Sequence, residues 1–251
     1  MLLVTAVALT ACAHAPADPA ARAEFQKNND PAEPTNRAIF GANQYVDRNA
    51  LRPVARSYAT YVPGAVRRSL HNFVSNLEEP STAVNDVLQG NVSRAWNTTQ
   101  RFVVNTTVGG AGLFDVATDW HRPHHEADFG ETLGVWNIAP GPAVQLPLFG
   151  PSNVRDAVGK VGGLVLDPLT FVGGSTLSTV TAVSGGVGVV DGRSRLLPTT
   201  DSLERSSLDY YATLRSVMAQ RRASLVAQAK VGVVSEEKGP PNLAPADVLA
   251  K

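Results

Sequence analysis

Apolar residues recur at helical spacing through most of the chain between positions 30 and 230. Ile39, Ala42, Val46 and Ala50 fall on one face of an α-helix, and Leu51, Val54, Tyr58, Tyr61 and Val62 repeat the pattern until Pro63-Gly64 breaks it. Val66, Leu70, Phe73, Val74 and Leu77 mark a clear amphipathic helix. Glu79-Pro80 is expected to end it, because the residue before a proline is pushed out of the helical region. Ser81 is expected to cap the next helix, carrying Val84, Val87 and Leu88 up to Gly90. Asn91 is placed to cap another, with Val92, Trp96, Thr99 and Val103 on one face and Gly109-Gly110 closing it. Asp201, with Glu204 in capping-box register, is expected to open the last and longest helix. Leu203, Ser207, Tyr210, Leu214, Val217 and Arg221 run along it, and Arg221, Arg222 and Lys230 sit towards its C-terminal end, where the dipole favours cations.

The middle of the chain has a different pattern. Between Lys160 and Asp191 the only charged residue is Asp167, among Gly, Val, Leu, Thr and Ser. A loop through water is not normally this apolar. Two readings stay open: a buried β-like hairpin or broken helix in a core, and a segment that touches lipid. The fold class expected from the pattern is mainly α, a bundle of amphipathic helices with an apolar, Gly/Val-rich, hairpin-like segment.

The N-terminus divides the chain further. Positions 2–9 are apolar except for Thr5 and lead into Leu9-Thr10-Ala11-Cys12. This run is shorter than the roughly 20 residues that span a bilayer, and it has the length of a signal-peptide apolar region. No Lys or Arg precedes it, so translation is expected to start upstream of Met1. Ala11-Cys12-Ala13 fits an ordinary signal-peptidase site, whereas Leu9-Thr10-Ala11-Cys12 resembles a lipobox whose cysteine is diacylated. Cys12 is the sole cysteine, which rules out an intramolecular disulfide and makes it the candidate lipid-attachment site. Acyl chains anchor by about 0.8 kcal/mol per buried CH₂. The expected organisation is a signal peptide at 1–11, an anchor and flexible spacer at 12–29, a helical body at 30–234 and a disordered tail at 235–251. Ala13, in place of an aspartate resembling an inner-membrane retention signal, favours the outer membrane.

Composition and motifs exclude several functions. Lys and Arg number 22 and so do Asp and Glu, so there is no basic excess to draw nucleic acid. Asp128-Phe129-Gly130 lacks the rest of a kinase set, Gly186-x-Gly188 is followed by Asp191 where a dinucleotide site wants glycine, and Gly159-Lys160 is not a phosphate loop. No cofactor is implied. His121, His124 and His125 lie near Asp119, Glu126 and Asp128, but Pro123 interrupts any helix that would align them. A solvated loop is therefore the preferred reading over a metal site.

The ordered motifs resemble one family. Asp30-Pro31 leads into Asn36-Arg37-Ala38-Ile39-Phe40, then Leu51-Arg52-Pro53-Val54-Ala55, Asn72-Phe73, Asn76-Leu77 and Glu79-Pro80. Leu88-Gln89-Gly90, Arg101-Phe102, Asn105-Thr106-Thr107, Gly112-Leu113-Phe114-Asp115, Asp128-Phe129-Gly130-Glu131-Thr132 and Leu146-Pro147-Leu148-Phe149-Gly150-Pro151 follow. From about 30 to 156 this is similar to the MlaA (VacJ) family of outer-membrane lipoproteins. It thins from 157 to 190 and returns weakly at Asp191-Gly192-Arg193 and Asp209-Tyr210. The resemblance implies a ring-like helical bundle in the inner leaflet of the outer membrane around an amphipathic channel. It also implies phospholipid as cargo, and trimeric porins and a periplasmic lipid-carrier protein as partners.

Transferring a two-chain phospholipid through water exposes about 30 methylenes, roughly 25 kcal/mol, so a conduit is needed. The expected function is passive phospholipid conduction, with a non-transporting scaffold for porins or envelope partners as the alternative. A lipid hydrolase ranks last because no activated nucleophile is visible. Asn105, Thr106 and Thr107 are candidates for a polar headgroup lining, although they fit helix capping equally well. Gly109, Gly110, Gly162, Gly163, Gly173 and Gly174 are candidate hinges, with 161–190 as the moving part.

Overall fold

The computed structural model describes residues 29–170 and 174–232, with single positions at 18 and 234. Cys12, nearly all of the expected signal peptide and spacer, Gly173 and the tail from 235 lie outside the described residues. Helix α1 (Glu33–Val46) carries Pro34 in its first turn, where the missing N–H has no intrahelical partner to lose. It passes through a π-helical turn at Asp47–Leu51 into α2 (Arg52–Tyr61). Extended backbone at Val62-Pro63 ends α2 where the pattern predicts.

Helix α3 (Gly64–Leu88) runs unbroken through Pro80, against the expected stop and against the expected new start at Ser81. Proline in a helix interior costs roughly 3 kcal/mol, and tertiary contacts outweigh it here. Glu79, beside the proline, accepts a hydrogen bond from Arg101 Nε at 2.7 Å, and Thr82 is buried. Helix α4 (Val92–Thr107) begins after Asn91 as expected, but not by side-chain capping. The Asn91 amide instead donates to the Ala229 carbonyl at 2.6 Å.

Short, well-capped helices follow. Asp115 caps α5 (Val116–Asp119), Asp128 caps α6 (Phe129–Val135) and Asn153 caps α7 (Val154–Leu166), each accepting a backbone N–H. Between α6 and α7 lies an antiparallel hairpin, β1 (Ala143–Leu146) and β2 (Gly150–Asn153), with Ala143 opposite Asn153 and Leu146 opposite Gly150. Two asparagines one heptad apart on α1 hold it. Asn36 accepts from Gln145 N at 2.9 Å and donates to Ala143 O at 3.1 Å; Asn43 accepts from Leu148 N at 2.8 Å and donates to Leu146 O at 2.9 Å.

Two helices close the described residues, α8 (Ser175–Ser206) and α9 (Tyr210–Val231). The apolar middle segment therefore forms α7, a 3₁₀ turn at Pro168–Thr170 and the first half of α8. The β-like hairpin reading of that segment falls: it is a broken helix, and it is not buried in a core, since Val161, Leu164 and Val165 are 67%, 73% and 66% exposed. The break at 207–209 moves the last helix start from Asp201 to Asp209, which caps α9 by accepting from Ala212 N at 3.1 Å. Asp201 is instead drawn into ion pairs with Arg56 at 2.8 Å and Arg52 at 3.7 Å from inside α8. The longest helix is α8, with 32 residues against 22 in α9. Gly232 ends α9 in the left-handed region at φ 71°.

Candidate functional site

Many members of the amphipathic stripes found in the sequence are exposed, while others, among them Leu70, Phe73, Val74 and Leu77, are half-buried, and none of these is fully buried. Tyr61 is 81% exposed, Val92 78% and Trp96 62%, and Val54, Val66, Val87 and Val103 are exposed as well. All three tryptophans and the hairpin tip, Leu148 and Phe149, lie on the surface. Among the described residues the buried apolar positions are five alanines, Leu197 and Tyr211. The buried polar positions include Asn76, Glu79, Asn85, Asp86, Arg94, Asn97, Arg101, Asn105 and Glu131. The usual arrangement of a protein in water has its apolar side chains inside. Here it is inverted.

The interior is a network of charges. Arg101 on α4 donates from Nε to Glu79 on α3, from Nη2 to Asp115 at 3.0 Å, and from Nη1 to Thr118 at 2.9 Å and to the Arg122 carbonyl. About two turns away, Arg94 pairs with Asp86 at 3.3 Å and lies 3.7 Å from Glu131. Thr98 Oγ1 donates to Asp86 at 2.8 Å. Thr132 on α6 donates to Asn85 at 2.9 Å and accepts from Gln89 at 3.1 Å, docking α6 on α3. Arg222 on α9 grips Asp128 with both Nη atoms, at 2.7 and 2.5 Å, and reaches Asp156 at 2.9 Å through Nε. A second cluster ties the N-terminal helices to α8: Arg193 grips Asp47 at 2.6 and 2.9 Å, and Arg52 bridges Asp47 and Glu204 at 3.2 and 2.9 Å.

These placements shift proton affinities. Burial pushes the Glu131 carboxyl up to about 7, only partly opposed by Arg94 and Arg222. Burial works against the charged His124 ring, yet the Glu79 hydrogen bond and charge lift it above its ordinary value. Against the upward push of burial, the Arg222 fork holds Asp128 below the usual carboxylate range.

The histidine loop is not simply solvated. His125 is buried, its Nε2 2.9 Å from Asp86, and His124 Nδ1 lies 3.2 Å from Glu79. The two rings go to different acids because adjacent residues point apart. Among the described residues no three His, Asp, Glu or Cys side chains converge as a metal set. Asn105 is buried, with Nδ2 donating to Asp115 at 3.0 Å and Oδ1 accepting from Ala117 N at 2.9 Å, so both ends of its amide hold the following loop. Thr106 and Thr107 are exposed; Thr106 accepts from Asn76 at 3.0 Å and Thr107 donates to Val103 O within its helix.

The candidate hinge glycines fall into distinct settings. Gly109 and Gly110 lie just past α4, where a Cβ on Gly109 would sit 2.2 Å from Phe114 O. Gly162 and Gly163 lie inside α7; a Cβ on Gly162 would strike the Phe129 ring at 2.7 Å, while Gly163 faces open space. Gly174 precedes α8 at φ 134°, a conformation other residues rarely adopt. Sequence reasoning passed over Glu79, Asp86, Arg94, Arg101 and Glu131. A signal existed: Arg94, Asn97, Thr98, Arg101 and Asn105 form a polar stripe at the same spacing as the apolar one.

Fold and interior together define a class: a helical protein whose exterior suits hydrocarbon and whose interior suits ions. The family model described as "MlaA lipoprotein" matches residues 28–225. An Escherichia coli K12 protein named intermembrane phospholipid transport system lipoprotein MlaA is 36% identical over 212 residues, 78% of each chain. A Haemophilus influenzae protein of the same name is 30% identical over 246 residues, 96% of this chain and 94% of its own. A solved structure, described as the structural basis for maintenance of bacterial outer membrane lipid asymmetry, superposes with a TM-score of 0.68 at 35% identity. It covers 78% of this chain and 98% of its own. The chain belongs to the MlaA lipoprotein family.

Proposed function

We propose that this protein is an outer-membrane lipoprotein that conducts phospholipid passively towards a periplasmic carrier and so maintains lipid asymmetry. The observation that carries the reading is the inversion itself. A surface of Trp, Val, Tyr and Leu in water is an aggregation liability, whereas in a leaflet it is ordinary. A zwitterionic or ionised headgroup crossing hydrocarbon costs several kcal/mol unless polar groups accompany it, and the interior is built from such groups. Among the described residues no helix is long and apolar enough to cross a membrane. In this reading the body lies within one leaflet, on the periplasmic face, tethered by an acylated Cys12. The names and lipid-asymmetry context of the similar proteins support the same reading.

The finer parts follow from it. Trimeric porins and a soluble lipid carrier are the partners, and the apolar exterior is the porin-facing surface. The exposed end of α4 at Thr106 and Thr107, beside Asn105, serves as headgroup lining, with Gly109 and Gly110 next to it. The segment around Gly162, Gly163, Gly173 and Gly174 is the moving part, with Gly174 as its freest joint. The reading is transport rather than hydrolysis, because among the described residues no activated nucleophile stands beside the interior histidines. Mass spectrometry of the full-length protein purified in mild detergent tests the reading: bound phospholipid is expected. Porin retained with no phospholipid would make the protein a scaffold instead.

A further inference from the structure

Beside the charged network, a cleft of about 290 Å³ opens between the start of α3 and the segment 113–119. Arg68, Ser69 and Asn72 line one side, and Phe114, Val116 and Asp119 line the other. Asp115 also borders it but is engaged by Arg101, Asn105 and Thr118. Arg68 and Asp119 are exposed and, among the described residues, neither makes an ion pair. Two unengaged charges of opposite sign thus border one cleft without meeting each other. Its walls are fixed: Gly112, at φ 90°, packs so closely on Asn76 that a Cβ would come within 2.7 Å of it, and Asn105 holds Ala117 N. Leu113 and Phe114, 40% and 62% exposed, add apolar surface at the rim.

We propose that this cleft receives the headgroup of a zwitterionic phospholipid, with phosphate on Arg68 and a primary ammonium on Asp119. The inference rests on the phospholipid-transport reading above and names the headgroup class. A phosphate joined to an ammonium through an ethylene bridge carries both charges that the cleft complements. A guanidinium forks onto phosphate oxygens, with the Ser69 hydroxyl and Asn72 amide as further donors. An ammonium offers three N–H donors to a carboxylate. An anionic phosphoglycerol headgroup satisfies Arg68 but leaves Asp119 facing a neutral or negative group. The cleft therefore selects phosphatidylethanolamine over phosphatidylglycerol.

Full-length protein incubated with vesicles holding equal amounts of those two lipids, then repurified, gives the retained ratio by mass spectrometry. The parent is expected to enrich phosphatidylethanolamine about two- to fivefold, the factor an exposed ion pair supplies. Asp119→Asn should bring the ratio to that of the vesicles, and Asp119→Glu should restore the enrichment. Arg68→Gln should lower the retention of both lipids. Parent-like melting temperatures establish that the variants fold. Retention without enrichment, or enrichment that survives Asp119→Asn, overturns this inference alone. Lipid retained at the vesicle ratio while soluble phosphoethanolamine binds the protein assigns the cleft to a soluble ligand and overturns it too. Retention of no phospholipid by the parent overturns the transport reading with it.

Discussion

Glu131 is 1% exposed, and its nearest cation, Arg94, is shared with Asp86. Burial raises its carboxyl to about 7, above the unfolded value, so the protonated form favours the fold. That contribution is complete below the ordinary glutamate range and is lost as pH rises through about 7. Glu131→Gln keeps the shape and removes the titration. It should match the parent at pH 4 and exceed it at pH 8 by about 1–3 kcal/mol, read from melts at both values. An equal shift at both pH values would contradict the assignment. Glu79→Ala should behave oppositely, because it strands Arg101, which is 3% exposed. The expected loss is about 3–5 kcal/mol, and double-mutant cycles with Arg101→Met should recover part of it. At this scale the sequence was half legible. The polar stripe on α4 is visible as periodicity, but only the fold brings Glu79 to Arg101 and Asp86 to His125.

Among the elements, α3 and α4 form the frame, and their ends are mostly punctuated as the pattern predicts. Pro63, Gly90 and Gly109-Gly110 all mark real boundaries. Pro80 does not, because local propensity at a proline yields when both of its flanks are tied to α4. Asp201 and Asp209 offer equal capping chemistry, and the choice between them rests on Arg52 and Arg56, about 150 residues away in the chain. Close approach of α6 and α7 depends on glycine: a Cβ at Gly159 would stand 2.3 Å from Gly130 Cα. Gly159→Ala should destabilise the protein by about 1–3 kcal/mol through forced separation. Gly41→Ala, inside α1 with open space around it, should instead stabilise by about 0.5–1 kcal/mol. Thermal melts of the two variants check the contrast. Asn43→Ala should free the hairpin tip, seen as faster hydrogen exchange at Leu148 N with the Asn36 contacts intact.

For the whole molecule, periodicity identifies which residues share a face but not what that face meets. The same stripe of Val, Trp and Tyr buries in a soluble bundle and faces lipid in an embedded one. Family resemblance supplied the membrane, and the inverted burial gives it a physical basis. The apolar middle segment was legible as unusual yet not as helix, since Gly and Val are poor helix formers singly. Its packing offers a handle on motion: a Cβ on Gly188 would lie 3.1 Å from Val74 Cγ1, so a Val74→Cys, Gly188→Cys pair can pin α8 to α3. With the disulfide formed, lipid exchange should slow, and reduction should restore it.

The central claim is that an embedded body with a polar interior conducts phospholipid. Full-length protein reconstituted in vesicles with a fluorescent phospholipid, together with protein-free acceptor vesicles and a soluble lipid carrier, measures it directly. Transfer should proceed well above the protein-free rate without nucleotide, and Glu79→Ala in the folded double variant with Arg101→Met should reduce it. Transfer indistinguishable from protein-free vesicles, with the protein folded and embedded, would contradict the account.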